Sequence, residues 1–87
     1  MNFSRALEHV KSGRLITRDG WNGKNMFVFL VKSSTFQVNR PPLLGIYPPE
    51  TVINYRAHLD MRAADGTIVP WLASQTDILA EDWQVEE

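Results

Sequence analysis

The absence of cysteine from a chain of only 87 residues is the feature that most limits what this sequence can fold into. A chain of this length forms one domain and buries only about 60–65% of the surface that its unfolded form exposes. Disulfides, metal sites or partner subunits usually stabilise such small domains. Without cysteine, and with two histidines, the first two are disfavoured. We therefore expect one domain over residues 1–87 that associates with copies of itself.

The first element is predicted to be a helix over about residues 3–12. Its apolar side chains recur at helical spacing on one face, at Phe3, Ala6, Leu7 and Val10. Asn2 is suited to cap the first turn, and Gly13 is suited to end the helix in the left-handed conformation. Because so short a helix is marginal in isolation, we expect it to pack on a sheet.

Five segments have strand-like patterns and are separated by turn dipeptides, at residues 14–18, 26–32, 54–63, 67–69 and 82–85. The second is apolar on both faces, which is typical of a central strand or of a strand at a subunit interface, and the last is expected at an edge. Residues 74–80 favour a short helix or turn. The sequence thus predicts an α+β fold, in which the N-terminal helix packs on an antiparallel sheet of four or five strands.

A proline-rich excursion is predicted between Ser33 and Ile53. Four of the five prolines fall here, in two adjacent pairs, and no strand runs through such a pair. The segment also carries many apolar side chains. We expect short extended pieces that pack against another surface.

Charge is distributed unevenly along the chain. Residues 1–40 carry a net charge of +5 and residues 41–87 a net charge of −6, so the whole chain is close to neutral at −1. This balance disfavours a protein that coats nucleic acid. Three arrangements would explain this asymmetry: ion pairs between the two halves of one domain, an anion-binding site in the N-terminal half, or contact between oppositely charged surfaces of two subunits. Composition does not decide among them. No apolar run approaches the roughly 20 residues of a membrane helix, and no signal peptide is recognisable, so we expect a cytoplasmic protein.

Trp21 lies between two glycine turns, in the segment Gly20-Trp21-Asn22-Gly23-Lys24. The flat face of a tryptophan is a stacking platform for a base, and glycines allow close approach of a ligand to the backbone. Lys24 and Arg18 are close enough in sequence to neutralise a phosphate. The alternative is a tryptophan that fills one end of a small sheet, and spacing alone favours that alternative.

A second tryptophan, Trp71, precedes four consecutive hydrogen-bonding residues: Ser74, Gln75, Thr76 and Asp77. These side chains are able to bind ribose hydroxyls or base edges beside a stacking ring. They are equally suited to cap a short helix, with Asp77 favouring its positive end. Capping uses one or two of the four, so the pattern leaves both interpretations open.

His58 and Asp60 lie two residues apart on the polar face of a predicted strand, where they are able to form a general acid–base pair. No nucleophile pattern or metal-ligand set accompanies them. A solvated strand face with alternating charges is therefore the favoured interpretation.

Several motifs resemble one small phage and prophage family, Thoeris anti-defence two, once classed as a domain of unknown function. They are residues 2–7, Gly20 to Phe27, Met61 to Val69, and Trp71 to Asp77 with its continuation to Trp83. The two tryptophan motifs are the most specific part. The resemblance covers essentially the whole chain, and family members differ most over residues 33–54.

The resemblance implies a protein that binds the cyclic ADP-ribose isomers made by bacterial Thoeris TIR enzymes and holds them intact, so that the defence effector is not triggered. It also implies homotetramers with pockets at subunit interfaces, in the cytoplasm of the infected or lysogenic bacterium. Some members bind cyclic dinucleotides at a separate site. No catalysis, cofactor or metal is expected.

The residues supply a mechanism for such a role. Trp21 and Trp71 would stack on adenine or cap the ring system, and Phe3 would complete an aromatic wall. Lys24 and Arg18 would offset the charge of the pyrophosphate. Ribose hydroxyls and base edges would be bound by Asn22, Ser74, Gln75, Thr76 and Asp77.

Two other functions remain as alternatives. One is a small phosphodiesterase or glycohydrolase that uses His58 and Asp60. The other is an interaction module whose proline-rich segment binds a host protein.

Overall fold

The computed structural model describes residues 1–22 and 24–86. Within that part of the chain, two helices, one 3-10 turn and seven strands follow one another. They are α1 (Phe3–Lys11), β1 (Leu15–Arg18), the 3-10 turn (Asp19–Trp21), β2 (Phe27–Val31), β3 (Ser34–Gln37), β4 (Val52–Tyr55), β5 (His58–Arg62), β6 (Ile68–Pro70), α2 (Gln75–Leu79) and β7 (Trp83–Glu86).

The main sheet has five strands in the order β6-β5-β2-β1-β7, and every neighbouring pair is antiparallel. The predicted α+β class is confirmed, as are the central position of β2 and the edge position of β7. The side chains of β2 are apolar on both faces of the sheet, as is typical of a central strand. Its backbone N–H and C=O groups are paired with β5 on one edge and with β1 on the other.

Helix α1 covers one face of this sheet. The side chain of Asn2 accepts a hydrogen bond from the backbone N–H of Arg5 at 3.0 Å, which confirms the predicted cap. Gly13 follows the helix with φ of +100°, as predicted for its C-terminal end. The inward side chains Ala6 and Val10 are fully buried and join a core cluster with Ile16, Val28 and Trp83.

The prediction of one strand over residues 54–63 is wrong, because β4 ends at Tyr55 and β5 begins at His58. The pairing register nevertheless continues. In the β2–β5 ladder, the numbers of two paired residues add to 89. The same total holds in the β3–β4 ladder, so both ladders share one register. The break falls where the ribbon leaves the main sheet, since a two-stranded ribbon twists more strongly than a sheet of five strands.

We call this two-stranded extension, residues 34–55, the arm. Both proline pairs lie in its terminal loop, between β3 and β4, and the peptide bond between Pro41 and Pro42 is cis. Val38 is buried beneath that loop, and its N–H donates to the carbonyl of Thr51 at 2.9 Å. The molecule is elongated, with a longest dimension of 46 Å.

Neither α1 nor α2, the helices of the described residues, has the length and apolar character needed to cross a bilayer.

Candidate functional site

An aromatic cluster joins distant parts of the chain around the fully buried side chain of Trp83. Trp21 and Trp71 each meet the Trp83 ring edge to face, with ring centroids 5.4 and 6.0 Å away. Phe3 lies 5.4 Å from Trp83 and 6.2 Å from Trp71. The structure therefore brings together the three aromatic residues that the sequence predicted for the site.

Each member of the cluster occupies an end of a secondary-structure element. Phe3 begins α1, Trp21 ends the 3-10 turn after β1, and Trp83 begins β7. Trp71 follows β6, and its N–H donates to the carbonyl of Leu59 at 3.0 Å, which extends the sheet pairing by one bond. The indole N–H of Trp83 donates to the carbonyl of Asp77 at 2.9 Å, so the central ring is also fixed by α2.

Sequence reasoning assigned no role to Trp83. The available signal was the alternation of β7, in which Trp83 and Val85 are the apolar residues and Gln84 and Glu86 the polar ones. That pattern places Trp83 on the inward face of the strand. It does not show that two other tryptophans converge on the same ring, because those contacts depend on the tertiary fold.

Phe3, Trp21 and Trp71 are half-buried, and each packs against the core cluster. The interpretation of Trp21 as a core residue is therefore correct for the part of its ring that contacts Trp83. Each of the three residues also retains some accessible surface. The arrangement provides accessible aromatic surface supported by a buried and well-packed tryptophan.

The polar residues after Trp71 form the start of α2. The hydroxyl of Ser74 accepts from the N–H of Asp77 at 3.0 Å, and the carboxylate of Asp77 accepts from the N–H of Ser74 at 3.2 Å. This reciprocal capping box confirms the capping interpretation for two of the four residues. Gln75 and Thr76 are exposed in the first turn, so their side chains are accessible to a ligand.

Arg18 is bound to carboxylates of its own chain. Its Nε and Nη2 donate to the two oxygens of Asp82 at 2.8 and 3.4 Å, and its Nη1 donates to Asp77 at 2.9 Å. The hydrogen bond from Arg18, followed by one from the N–H of Gly20, lowers the pKa of Asp82. The same bond to Asp82 raises the pKa of Arg18 further above its ordinary value. The sequence predicts that Arg18 offsets the charge of a pyrophosphate, and in the structure its guanidinium is paired with these two carboxylates.

A small cavity of about 180 Å³ lies next to Trp21. Lys24 lines it together with Thr17, Arg18, Asp19, Asn25, Met26, Gln84 and Glu86. Asn22, beside Trp21, is exposed and adopts the left-handed conformation with φ of 57°, which asparagine tolerates. The predicted turn residue Gly23 lies outside the described residues.

The family model for the Thoeris anti-defense 2-like domain matches residues 1–86. The chain belongs to this family. It is also 42% identical over 85 residues to "Thoeris anti-defense 2" of Bacillus phage SP01, an alignment that covers 98% of this chain and 93% of the relative. The resemblance drawn from the two tryptophan motifs is thereby confirmed.

This Thoeris anti-defense 2-like domain has a larger cavity, of about 490 Å³, in the arm. It is lined by Phe36, Gln37, Val38, Asn39, Arg40, Pro41, Pro42, Leu43 and Tyr55. None of the site residues predicted from the sequence is among them. The smaller cavity, beside Trp21, is lined by three of the predicted site residues, Arg18, Trp21 and Lys24. Phe3, Asn22, Trp71 and the residues from Ser74 to Asp77 do not line it.

The domain also contains the pair proposed for the catalytic alternative. His58 Nε2 lies 3.7 Å from Asp60 Oδ1, and His58 Nδ1 lies 3.2 Å from the carbonyl of Arg56. Both side chains point away from the face that Leu59 and Met61 present to the aromatic cluster, because successive residues of a strand alternate. The pair is thus on the opposite face of the sheet.

Proposed function

We propose that this protein counters Thoeris immunity in phage-infected or lysogenic bacteria by binding cyclic ADP-ribose isomer signals in the cytoplasm and holding them uncleaved. The observation that carries the proposal is the convergence of Trp21 and Trp71, from the two family motifs, on the buried ring of Trp83. Membership of the Thoeris anti-defense 2-like family supplies the biological context.

Aromatic surface is what an adenine-containing ligand requires. Stacking of a base on an aromatic side chain contributes about 1–3 kcal/mol. Trp21 and Trp71 each pack on Trp83, and each residue remains partly exposed. A ligand that contacts them therefore meets rings whose orientation is already fixed, so less side-chain entropy is lost on binding.

Polar groups of the required kinds surround these rings. Asn22, Gln75 and Thr76 are exposed and offer amide and hydroxyl groups for ribose and base edges. The side chains of Ser74 and Asp77 hydrogen-bond to each other's backbone in the capping box. We therefore propose that they contact the ligand only through hydrogen-bonding capacity that the capping box does not use. Lys24 is exposed at the cavity beside Trp21 and is the cation we assign to the pyrophosphate.

The site is proposed to be completed by a second copy of the chain. Pockets for small molecules generally measure roughly 300–1,000 Å³, and the cavity beside Trp21 measures about 180 Å³. The cavity beside Trp21 in one chain is thus too small for a cyclic ADP-ribose isomer. A pocket shared between subunits resolves the difference.

Exposed apolar side chains support self-association. Leu72, which precedes α2, is 91% exposed, Leu79, the last residue of α2, is 77% exposed, and Ile46 in the arm is 69% exposed. Tyr47, Val52 and Tyr55 extend the arm's apolar surface. Surface of this kind is typical of subunit interfaces. We propose a homo-oligomer, with the tetramer that the family resemblance implies as its expected size.

The decisive experiment is capture and release. The protein is incubated with the cyclic ADP-ribose isomer produced by a Thoeris TIR enzyme, the unbound ligand is quantified after filtration, and the protein is then denatured by heat. We expect depletion of the free ligand followed by recovery of the intact molecule. Recovery of a cleaved product would instead support the hydrolase alternative.

Substitutions assign the site. Trp21→Ala and Trp71→Ala should each weaken binding by about 5- to 150-fold, since loss of one stacking contact is worth about 1–3 kcal/mol. Phe29→Ala is the matched aromatic control, because Phe29 is half-buried on β2, away from the cluster. Normal binding by both tryptophan variants would contradict the assignment of the site.

His58→Ala and Asp60→Ala separate sequestration from catalysis. Under the proposal, both variants capture and release the ligand as the unsubstituted protein does. If the unsubstituted protein cleaves the ligand and these variants do not, the protein is an enzyme. Recovery of a host protein in a pull-down, together with no nucleotide binding, would favour the interaction module.

Native mass spectrometry with and without the ligand measures subunit number and stoichiometry together. We expect an oligomer that binds the ligand in a fixed ratio to its subunits. The same measurement with cyclic dinucleotides tests whether this chain has the second ligand class that some family members bind. A monomer with full affinity would contradict the shared pocket.

A further inference from the structure

We propose that Arg18, Asp77 and Asp82 form a positioning network that sets the two tryptophan segments relative to each other, and that Arg18 does not contact the phosphates of the ligand. This inference rests on the proposed function for its effect on binding. Its structural part, the coupling of the two segments, is independent of any ligand.

Arg18 is the centre of the network. It ends β1, immediately before the 3-10 turn that carries Trp21. Three of the five guanidinium N–H groups are used, two on Asp82 and one on Asp77. The Arg18 side chain is only 15% exposed, and that of Asp77 14%. A partly buried, bidentate arginine of this kind holds its partners in a defined geometry.

Each carboxylate is bound a second time, to the backbone of a tryptophan segment. Asp82 accepts from the N–H of Gly20, the residue before Trp21, at 2.8 Å. Asp77 accepts from the N–H of Ser74 through its other oxygen, at the start of the helix that follows Trp71. A continuous series of hydrogen bonds therefore runs from one tryptophan segment to the other through the guanidinium of Arg18.

The side chains of the network pack closely against the backbone at Gly20. A Cβ atom at Gly20 would lie 3.0 Å from Asp82 Oδ2 and 3.3 Å from Arg18 Nη2. The backbone here is not in the left-handed region, so close packing against the network is what disfavours a side chain. Gly20→Ala is therefore a substitution that disturbs the network without changing any charge.

The charges of the network argue against a phosphate at Arg18. One guanidinium and two carboxylates carry a net charge of −1, which repels an anion. A phosphate could bind Arg18 only by displacing a carboxylate that would then lose its partner. Lys24, exposed on the same cavity, is free of that cost and is the better phosphate contact.

Asp82→Asn tests the proposal by the direction of its effect. If Arg18 binds phosphate and Asp82 competes for it, removal of the negative charge tightens binding of an anionic ligand. If the network positions the tryptophans, the same substitution weakens binding. We expect dissociation constants at least tenfold higher for Asp82→Asn and several-fold higher for Gly20→Ala, measured by calorimetry with the cyclic ADP-ribose isomer made by a Thoeris TIR enzyme.

Glu81→Gln is the matched control. It removes the same charge from the neighbouring exposed residue, whose side chain lies outside this network. Its affinity should stay within twofold of the unsubstituted protein. Lys24→Gln should weaken binding and also reduce its dependence on salt, because a cation that contacts the phosphates is removed. Tighter binding by Asp82→Asn would overturn the proposal.

A measurement without ligand keeps this inference separate from the proposed function. The near-ultraviolet circular dichroism of the edge-to-face tryptophans reports their relative orientation. We expect Asp82→Asn and Gly20→Ala to change that spectrum while the far-ultraviolet spectrum is retained, and Glu81→Gln to change neither. An unchanged near-ultraviolet spectrum in both network variants would refute positioning, whereas failure of the unsubstituted protein to bind the ligand would refute only the proposed function.

Discussion

Replacement of Trp83 by phenylalanine is the substitution that most directly tests how the site is built. Trp83 is fully buried, contacts three other aromatic rings and donates its indole N–H to the carbonyl of Asp77. Phenylalanine keeps an aromatic ring on the inward face of β7. It removes the pyrrole part of the indole and the hydrogen bond.

The expected loss of stability has two parts. The carbonyl of Asp77 still accepts from the N–H of Ala80 at 3.3 Å, so loss of the indole bond costs only about 0.5–1.5 kcal/mol, the ordinary net value of a hydrogen bond. Removal of two buried ring carbons costs about 1–3 kcal/mol, since each behaves like a deleted methylene. The total is about 1.5–4.5 kcal/mol, a large share of the free energy of unfolding of a chain this small.

Urea denaturation followed by far-ultraviolet circular dichroism measures this loss. It should be done at two protein concentrations, because self-association would make the midpoint depend on concentration. Trp71→Phe is the matched control. Its ring is only half-buried, so we expect a loss of less than about 1.5 kcal/mol.

Trp83→Phe should also weaken ligand binding, since Trp21 and Trp71 lose part of the surface that orients them. Equal losses of stability in Trp83→Phe and Trp71→Phe would refute the view that Trp83 is the centre of the cluster. Unchanged ligand affinity in a stable Trp83→Phe protein would refute its role as the support of the site.

Three further predictions concern single interactions. Asp82 has a lowered pKa in the folded protein, so the stability that it contributes is present above its ordinary pKa of about 3.9 and is lost as the pH falls through the lowered value. Asp82→Asn should therefore flatten the acid side of a plot of unfolding free energy against pH. An unaltered acid slope would contradict this. Gly13→Ala should cost about 1–2 kcal/mol in urea denaturation, because φ is +100° and a Cβ in that conformation clashes with the adjoining backbone; beyond the two adjoining residues, no atom lies within 4 Å of the added Cβ. Ser74→Ala should cost about 1 kcal/mol and Ser74→Gly only a few tenths, and equal losses would contradict the capping role.

Local patterns were sufficient to predict most elements of this protein. The positions of Asn2 and Gly13 delimit α1, because capping and left-handed conformations depend on single residues. The apolar run in β2 indicated a central strand, and β2 is paired with a neighbouring strand on each edge. The family motifs indicated Trp21 and Trp71 as one site, and the structure places both on Trp83.

The tertiary structure decided what depends on the partners of each residue. Local alternation could not show that the strand predicted over residues 54–63 breaks at Arg56, because the break occurs where the ribbon leaves its neighbouring strands. Nor could it show that Arg18 is bound by two carboxylates about 60 residues further along the chain. The sequence predicted that Arg18 faces a phosphate, and we infer from these contacts that it has a structural role. The sequence by itself determined the kinds of side chain at the site. Only the fold determined which of them are free to meet a ligand, because a charge or a ring acts on whatever lies next to it in space.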